Sequence, residues 1–229
     1  MKRVAILQSN YIPWKGYFDL IASVDEFIVY DEVQFTKNDW RNRNKIKTAN
    51  GVEWITIPVR QAKLEQKITE TRVVDGRWAV KHWKAIANNY SRAPHFAKYA
   101  PVVEELYRQA GQLQFLSEIN LTFIQFICEL FAIPTRISSS RSYDLSGDRV
   151  GRLVSVCRQA GARTYLSGPA AQSYIDESQF EASGISVEWM NYSGYPEYAQ
   201  LFPPFEHGVT VLDLLFNVGP QHRNYMKRF

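Results

Sequence analysis

Two stretches concentrate residues that can do chemistry. The first is Gln8-Ser9-Asn10-Tyr11-Ile12-Pro13-Trp14-Lys15-Gly16-Tyr17-Phe18-Asp19, which follows the apolar run Val4-Ala5-Ile6-Leu7. Its amides, phenols and indole offer hydrogen bonds beside flat apolar faces, which suits sugars or bases. The second is Lys37-Asn38-Asp39-Trp40-Arg41-Asn42-Arg43-Asn44-Lys45-Ile46-Lys47, where five cations and three amides surround one Trp and one acid. Arg41 and Arg43 can hold phosphate bidentately, and Lys37, Asn42 and Asn44 add charge and oriented donors. Basic plus aromatic also suits single-stranded nucleic acid. The run is short and the whole chain carries only +4, so a small phosphorylated ligand is the better reading.

Further candidates follow other short apolar runs. Asp31 and Gln34 come after Phe27-Ile28-Val29-Tyr30, and Ser167-Gly168 after Thr164-Tyr165-Leu166. His207 lies in Phe205-Glu206-His207-Gly208, just before a final helix, where a histidine beside a carboxylate can act as general base. His82 sits on an aromatic helical face and reads as structural. The four histidines show no HxxxH or HxH spacing, so no metal site is expected. No GxSxG, GxxxxGK[ST] or GxGxxG occurs, which excludes an esterase elbow, a P-loop and the usual dinucleotide fingerprint. Cys128 and Cys157 lie in apolar helical stretches and read as small buried hydrophobes in a reducing compartment.

The elements that must position these residues alternate. Val4–Leu7 reads as a buried strand, 16–23 as a helix and 27–30 as a second strand. That is a βαβ unit of about 30 residues. The alternating stretch Glu53–Val59 reads as a third strand. A helical block follows at 78–131: Trp78–Tyr90, a helix opened by Pro101 and closed by Gly111, and Leu113–Phe131. Thr135–Ser138, Thr164–Leu166 and Ile185–Trp189 read as strands, with helices at Asp148–Ala160 and Val209–Val218. The pattern predicts an α/β fold with a mainly parallel sheet, a single domain over 1–229 and the helical block as an elaboration. In such folds ligands bind beyond the carboxyl ends of the strands, where the candidates cluster.

Composition agrees. The chain has 229 residues, 45% hydrophobic and 22% charged, which excludes a disordered, collagenous or disulfide-held chain. Trp, Tyr and Phe make up 14%, which suits either an aromatic core or planar binding surfaces. The apolar run after Met1-Lys2-Arg3 is too short for a signal peptide, and no run approaches the length of a membrane span. A cytoplasmic location without membrane insertion is expected.

These residues also carry a resemblance. Gln8-x-x-Tyr11-x-Pro13-Trp14-x-Gly16-Tyr17-Phe18-Asp19, Tyr30-Asp31-x-Val33-Gln34-Phe35 and Trp40-Arg41-Asn42-Arg43-Asn44 resemble the WbqC-like protein family. The match continues through Trp54-x-Thr56-x-Pro58-Val59, Tyr165-Leu166-Ser167-Gly168-Pro169-Ala170, and Phe205-Glu206-His207 with Leu212-Asp213. Ser9 stands where that family often has Pro, and Thr210 where Ser is common; both read as mild changes. The resemblance implies a bacterial cytoplasmic protein of surface-glycan (O-antigen) biosynthesis that decorates a nucleotide-linked amino sugar. Acyl or aminoacyl transfer to the sugar amine is the inferred chemistry, with coenzyme A or a carrier-protein thioester as donor. Arg41 and Arg43 would then hold phosphate, Trp14 and Tyr17 would stack, and Asp31 or His207 would take the proton. Ser167 would offer an oxyanion contact, with Gln8, Tyr11, Gln34, Trp40, Tyr165 and Gly168 completing the substrate site.

A remoter similarity links the first strand and the Pro13-Trp14-x-Gly16-Tyr17 turn to nucleotidyltransferases of Rossmann-like layout. There an HxGH motif holds triphosphate; here Trp14 and Tyr17 stand in place of its histidines. Two alternatives therefore stay open: a nucleotidyltransferase or carboxylate-activating ligase, and a non-enzymatic binder of RNA or of a protein partner.

Overall fold

The computed structural model describes residues 1–228. The chain starts with β1 (Arg3–Leu7), α1 (Lys15–Ala22) and β2 (Glu26–Val29). Two antiparallel pairs follow, β3 (Arg43–Thr48) with β4 (Gly51–Thr56), and β5 (Val59–Arg60) with β6 (Arg72–Val73). Then come α2 (Arg77–Tyr90), α3 (Phe96–Ala110) and α4 (Leu116–Leu130). The alternation resumes with β7 (Arg136–Ser139), α5 (Arg149–Gln159), β8 (Thr164–Ser167), α6 (Glu177–Glu181), β9 (Ser186–Trp189) and α7 (Val211–Val218).

The central sheet has the order β7-β2-β1-β8-β9, and every pairing in it is parallel. This is the Rossmann-like α/β arrangement the alternation predicts. The chain walks outward from β1 through β2 to β7, then returns to β8 on the other side of β1. The order therefore reverses between β1 and β8, which opens a crevice at their carboxyl ends.

Both faces of the sheet are covered, so its strands read as nearly continuous apolar runs. Along β1, Ala5 packs with α1, α4 and α7, while Val4 and Ile6 pack with Val150, Leu153 and Val154 of α5. Cys128 and Cys157 are buried, one in each core, and burial pushes both thiols up to about 12.

The expected third strand at Glu53–Val59 does not join this sheet. Gly51–Thr56 pairs instead with Arg43–Thr48 in a separate hairpin. The half-polar alternation of β4 fits a ribbon with one face in water, not a strand buried on both. The end of the basic segment is thus a strand. Pro101 does not open its helix: α3 begins at Phe96 and contains it. Ala97, whose carbonyl loses its partner to the proline, is exposed, so water can replace the bond. Gly111 does close α3, but with φ −65 rather than in the left-handed region. Its lack of a side chain serves a close approach, because a Cβ there would lie 2.9 Å from Ala79 Cβ.

The helical block joins the sheet through buried hydroxyls. Tyr11 Oη lies 2.9 Å from His82 Nδ1 and 3.0 Å from Tyr107 Oη, and His82 Nε2 lies 3.2 Å from the Thr56 carbonyl. Since a carbonyl only accepts, Nε2 carries the proton and Nδ1 accepts from Tyr11. Burial holds the His82 pKa down at about 4, against 6.5 for a free histidine. The unfolded chain therefore binds this proton more readily than the folded one between those values, and stability drains as pH falls from about 6.5 to 4. The linked loss at pH 4 is about 3 kcal/mol. Denaturant titrations of wild type and His82→Gln at pH 7 and pH 4 should show a pH difference smaller by about that amount in the variant. Parallel losses in both proteins would remove His82 as its source.

Candidate functional site

At the carboxyl edge of β1 and β2 a carboxylate is buried. Asp31 is only 2% exposed. It accepts from Ser9 N (2.8 Å), Ser9 Oγ (2.7 Å) and Ser117 Oγ (2.5 Å). Ser9 Oγ accepts in turn from Asn120 Nδ2 at 3.0 Å, and the same amide donates to the Arg41 carbonyl at 2.9 Å. This knot ties the first two strands, α4 and the basic segment together. Ser9 is thus more than a mild change, since a proline there would remove two of the three donors to Asp31. Both Asp31 oxygens are occupied and the group is shielded from solvent, so the side chain positions its neighbours rather than reaching a ligand.

The amides of the basic segment are also spent on the frame. Asn42 Nδ2 donates to the Ile57 carbonyl at 2.9 Å. Asn44 Nδ2 donates to the Tyr11 and Ile12 carbonyls at 2.9 and 2.6 Å. Ile12 has φ +35, a strained value for a β-branched residue, and Asn44 clamps it just before Pro13. Arg41 reaches back to donate to Asn10 Oδ1 and Gln8 Oε1, with Asp39 at 3.7 Å. Its charge is positioned mainly by neutral oxygens.

The Pro13-Trp14-Lys15-Gly16-Tyr17 turn becomes the start of α1. Trp14 folds over that helix end, where a Cβ on Gly16 would lie 2.3 Å from Trp14 Cζ2. The indole packs edge-on against Tyr192 and Tyr195 at 5.2 and 5.6 Å. Tyr17 is not beside it as a stacking surface: its ring is in the core and its hydroxyl donates to the Gln8 carbonyl at 3.0 Å. Lys15 is buried, donates to the Pro196 carbonyl and lies 5.0–5.9 Å from the rings of Tyr195, Tyr198 and Phe205. Burial lowers its pKa to about 8, against opposing carboxylates led by Asp19.

A cavity of about 290 Å³ opens beside this turn. Asn10, Trp14, Trp40, Asn44, His207 and Gly208 line it, so four residues singled out above, besides His207, meet at one surface or its edge: Trp14, Trp40, Asn44 and, through Asn10, Arg41. His207 is held there because the α7 entry is pinned on both sides. Thr210 N donates to the Lys45 carbonyl (2.9 Å) and Val211 N to the Pro13 carbonyl (3.0 Å). Thr210 Oγ1 caps α7 by accepting from Leu212 N, a role serine would fill equally. Burial, then the Lys15 charge, lower the His207 pKa below 6.5, while Glu197 and Glu206 pull the other way. The imidazole is therefore neutral at pH 7, and its buried Nδ1 has no partner among the described residues. Trp40 of the cavity wall and Trp54 beyond it are 39% and 43% exposed, 5.1 Å apart, with Arg43 4.1 Å and Lys45 5.2 Å from the Trp54 ring.

A second cavity, of about 480 Å³, lies on the α5 side of the same edge. It takes Gln8, Gln34 and Tyr165 from the expected set, and adds Tyr30, Tyr174, Arg149 and Arg152. Tyr165 contributes little open surface, being buried and stacked on Phe180 at 5.1 Å. The added arginines had a sequence signal: a basic pair three residues apart, opening a helix between two strands. Tyr11 is in the core, and Lys37 is exposed on the basic segment. Ser167 is buried at the end of β8, and Gly168 lies against Tyr192. Among the described residues no group of three or more His, Cys, Asp or Glu is placed to hold a metal ion. Nor is any helix long and apolar enough to cross a membrane.

The fold and its edge define a Rossmann-like α/β protein with one cavity at the end of β1 and another beside the segment that follows it. The chain belongs to the WbqC-like protein family, whose profile matches residues 8–225. It is 49% identical over 228 residues to an uncharacterized protein of Mycobacterium tuberculosis, covering 99% of this chain and 98% of that one.

The close fit of Trp14 over Gly16 is testable. Gly16→Ala should displace the indole, shift tryptophan fluorescence and cost about 1–3 kcal/mol in denaturant titration. Unchanged fluorescence and stability would mean the indole has room to spare.

Proposed function

We propose that the protein acts in bacterial surface-glycan biosynthesis, transferring an acyl or aminoacyl group to the amine of a nucleotide-linked amino sugar. The observation that carries this reading is His207, an unprotonated imidazole in the wall of an aromatic-lined cavity. Trp14 and Trp40 offer faces for a sugar ring. Asn10 gives its oxygen to Arg41, which leaves its NH₂ as a donor for a hydroxyl. Membership of the WbqC-like family supports the pathway.

The sugar amine attacks the carbonyl of a coenzyme A or carrier-protein thioester. The C–N bond forms, the C–S bond breaks and the thiolate leaves. The proton lost by the amine passes to His207, whose lowered pKa keeps it ready to accept at neutral pH. No side-chain nucleophile is required. Neither buried, high-pKa cysteine is suited to serve as one.

Nucleotidyl transfer fits less well. The helix end that would hold triphosphate is covered by Trp14, and Lys15 beside it is turned to the Pro196 carbonyl. The exposed Trp40–Trp54 pair with Arg43 and Lys45 is the feature that favours an RNA- or partner-binding reading. Steeply salt-dependent oligonucleotide binding would support that alternative.

Thiol release from acyl-coenzyme A, followed across a panel of nucleotide-linked amino sugars, tests the reaction. His207→Ala should lose about 10²-fold or more in turnover. The wild-type rate should fall as pH drops and the imidazole takes a proton. Equal turnover in the variant would remove His207 from the chemistry. Failure of every sugar in the panel with both donor types would overturn the reading. Asp31→Ala, by contrast, should act through the fold. It strands buried donors of Ser9, at about 1–3 kcal/mol each, and should lower the unfolding free energy whatever it does to the rate.

A further inference from the structure

The larger cavity holds a charge arrangement that the fold does not account for. Arg149 and Arg152 both line it, and no acidic residue does. Among the described residues neither makes an ion pair with a carboxylate within 4.0 Å. Arg149 lies 3.5 Å above the Tyr174 ring. Arg152 donates to the Gly147 carbonyl at 3.1 Å and shares the cavity wall with Tyr30. Arg141, at the same carboxyl edge, is by contrast answered by an acid, Glu32.

The placement is also unfavourable in itself. Both residues open α5, where the helix dipole favours negative charge, and like charges three residues apart on a helix repel. The acid at this helix end, Asp148, accepts from Gly151 N at 2.7 Å. Two exposed cations held together against the dipole are what an anionic ligand would stabilise.

The position says which kind. The cavity lies outside the carboxyl end of β1, with Tyr165 of the neighbouring β8 in its wall, where the strand order reverses. Ile6, Leu7 and Leu153 give it apolar walls, Tyr30 and Tyr174 supply rings, and Gln8 and Gln34 supply amides. Its volume of about 480 Å³ is that of a small-ligand site. We infer that this cavity binds a nucleoside diphosphate, with the phosphates on Arg149 and Arg152 and the base against the tyrosine and aliphatic walls. This deepens the proposed function and rests on that reading only for what is attached to the diphosphate. Gln8 of this cavity and Asn10 of the smaller one are held by the same Arg41 guanidinium. A nucleotide in the larger cavity therefore has its attached sugar directed toward His207.

Titration calorimetry of the full chain with UDP, GDP, ADP, dTDP and inorganic pyrophosphate tests this. At least one nucleoside diphosphate should bind, and more tightly than pyrophosphate. Arg149→Ala and Arg152→Ala should each weaken it about tenfold, and the double variant about 10²-fold. Unliganded variants should keep or raise the wild-type Tm, since the arginines oppose the helix dipole; a merely structural role would lower it. His207→Ala should leave nucleoside diphosphate binding intact. The inference is overturned if no nucleoside diphosphate binds at millimolar concentration, if the double variant binds it as wild type does, or if pyrophosphate binds as well as the nucleotide. Acyl transfer to a nucleotide-linked sugar with unchanged KM in the double variant would also overturn the site while leaving the proposed reaction standing. Arginine-dependent nucleotide binding without transfer to any sugar would do the reverse.

Discussion

A buried carboxylate at the open edge of a parallel sheet constrains everything around it. Asp31 has no water to solvate it, so its charge must be met by donors fixed in place. Ser9 brings the end of β1, Ser117 and the Asn120 relay bring α4, and through Asn120 the backbone at Arg41 is drawn in as well. Four segments far apart in sequence thus converge on one point. Of the inserted helices, α4 supplies donors that the sheet lacks.

The aromatic content has a related explanation. Much of it forms a core tied by hydroxyls. Tyr11 meets His82 and Tyr107, while Tyr90 and Tyr198 both donate to Asp213, at 3.0 and 2.6 Å. Asp213 is fully buried, and burial raises its pKa despite those donors. Each tyrosine supplies apolar area and one directed hydrogen bond, which lets the core enclose ionisable groups without stranding them. The rings left to face ligands are fewer: Trp14, Trp40 and Trp54 near the smaller cavity, Tyr30 and Tyr174 at the larger.

How far the sequence discloses this depends on the range of the signal. The central strands were legible because burial on both faces gives short unbroken apolar runs. The helices α2, α4, α5 and α7 were legible from period and caps. The β3–β4 hairpin was missed because Arg43-Asn44-Lys45-Ile46-Lys47-Thr48 is too polar to look like a strand. It buries Asn44 and Lys47 through bonds to the distant Tyr11, Ile12 and Pro204 carbonyls, and local pattern cannot foresee these. The residues gathered from strand ends did converge on the carboxyl edge. Their jobs were not legible, since Tyr17, Asn42 and Asp31 carry the polar groups of ligand binders but spend them on backbone and neighbouring side chains. Arg149 and Arg152 were overlooked for the opposite reason: a basic helix start looks like an ordinary solvated face until the sheet order puts it beside β1.

The contrast between Arg41 and the structural charges bears on both proposals. A guanidinium that only braces a fold is best met by carboxylates, which cancel its charge. Arg41 is instead aimed by the amide oxygens of Gln8 and Asn10, with Asp39 only at 3.7 Å and its buried Nε unclaimed. Amides fix direction without neutralising, so a largely uncompensated charge persists between the two cavities in surroundings less polarisable than water. Arg149 and Arg152 are likewise uncancelled on the far wall of the larger cavity. Three cations held by neutral partners along one sheet edge are the arrangement that the proposed diphosphate ligand, with its charge spread over linked phosphates, would suit. A single carboxylate could satisfy one of these positions and would leave the others as they are.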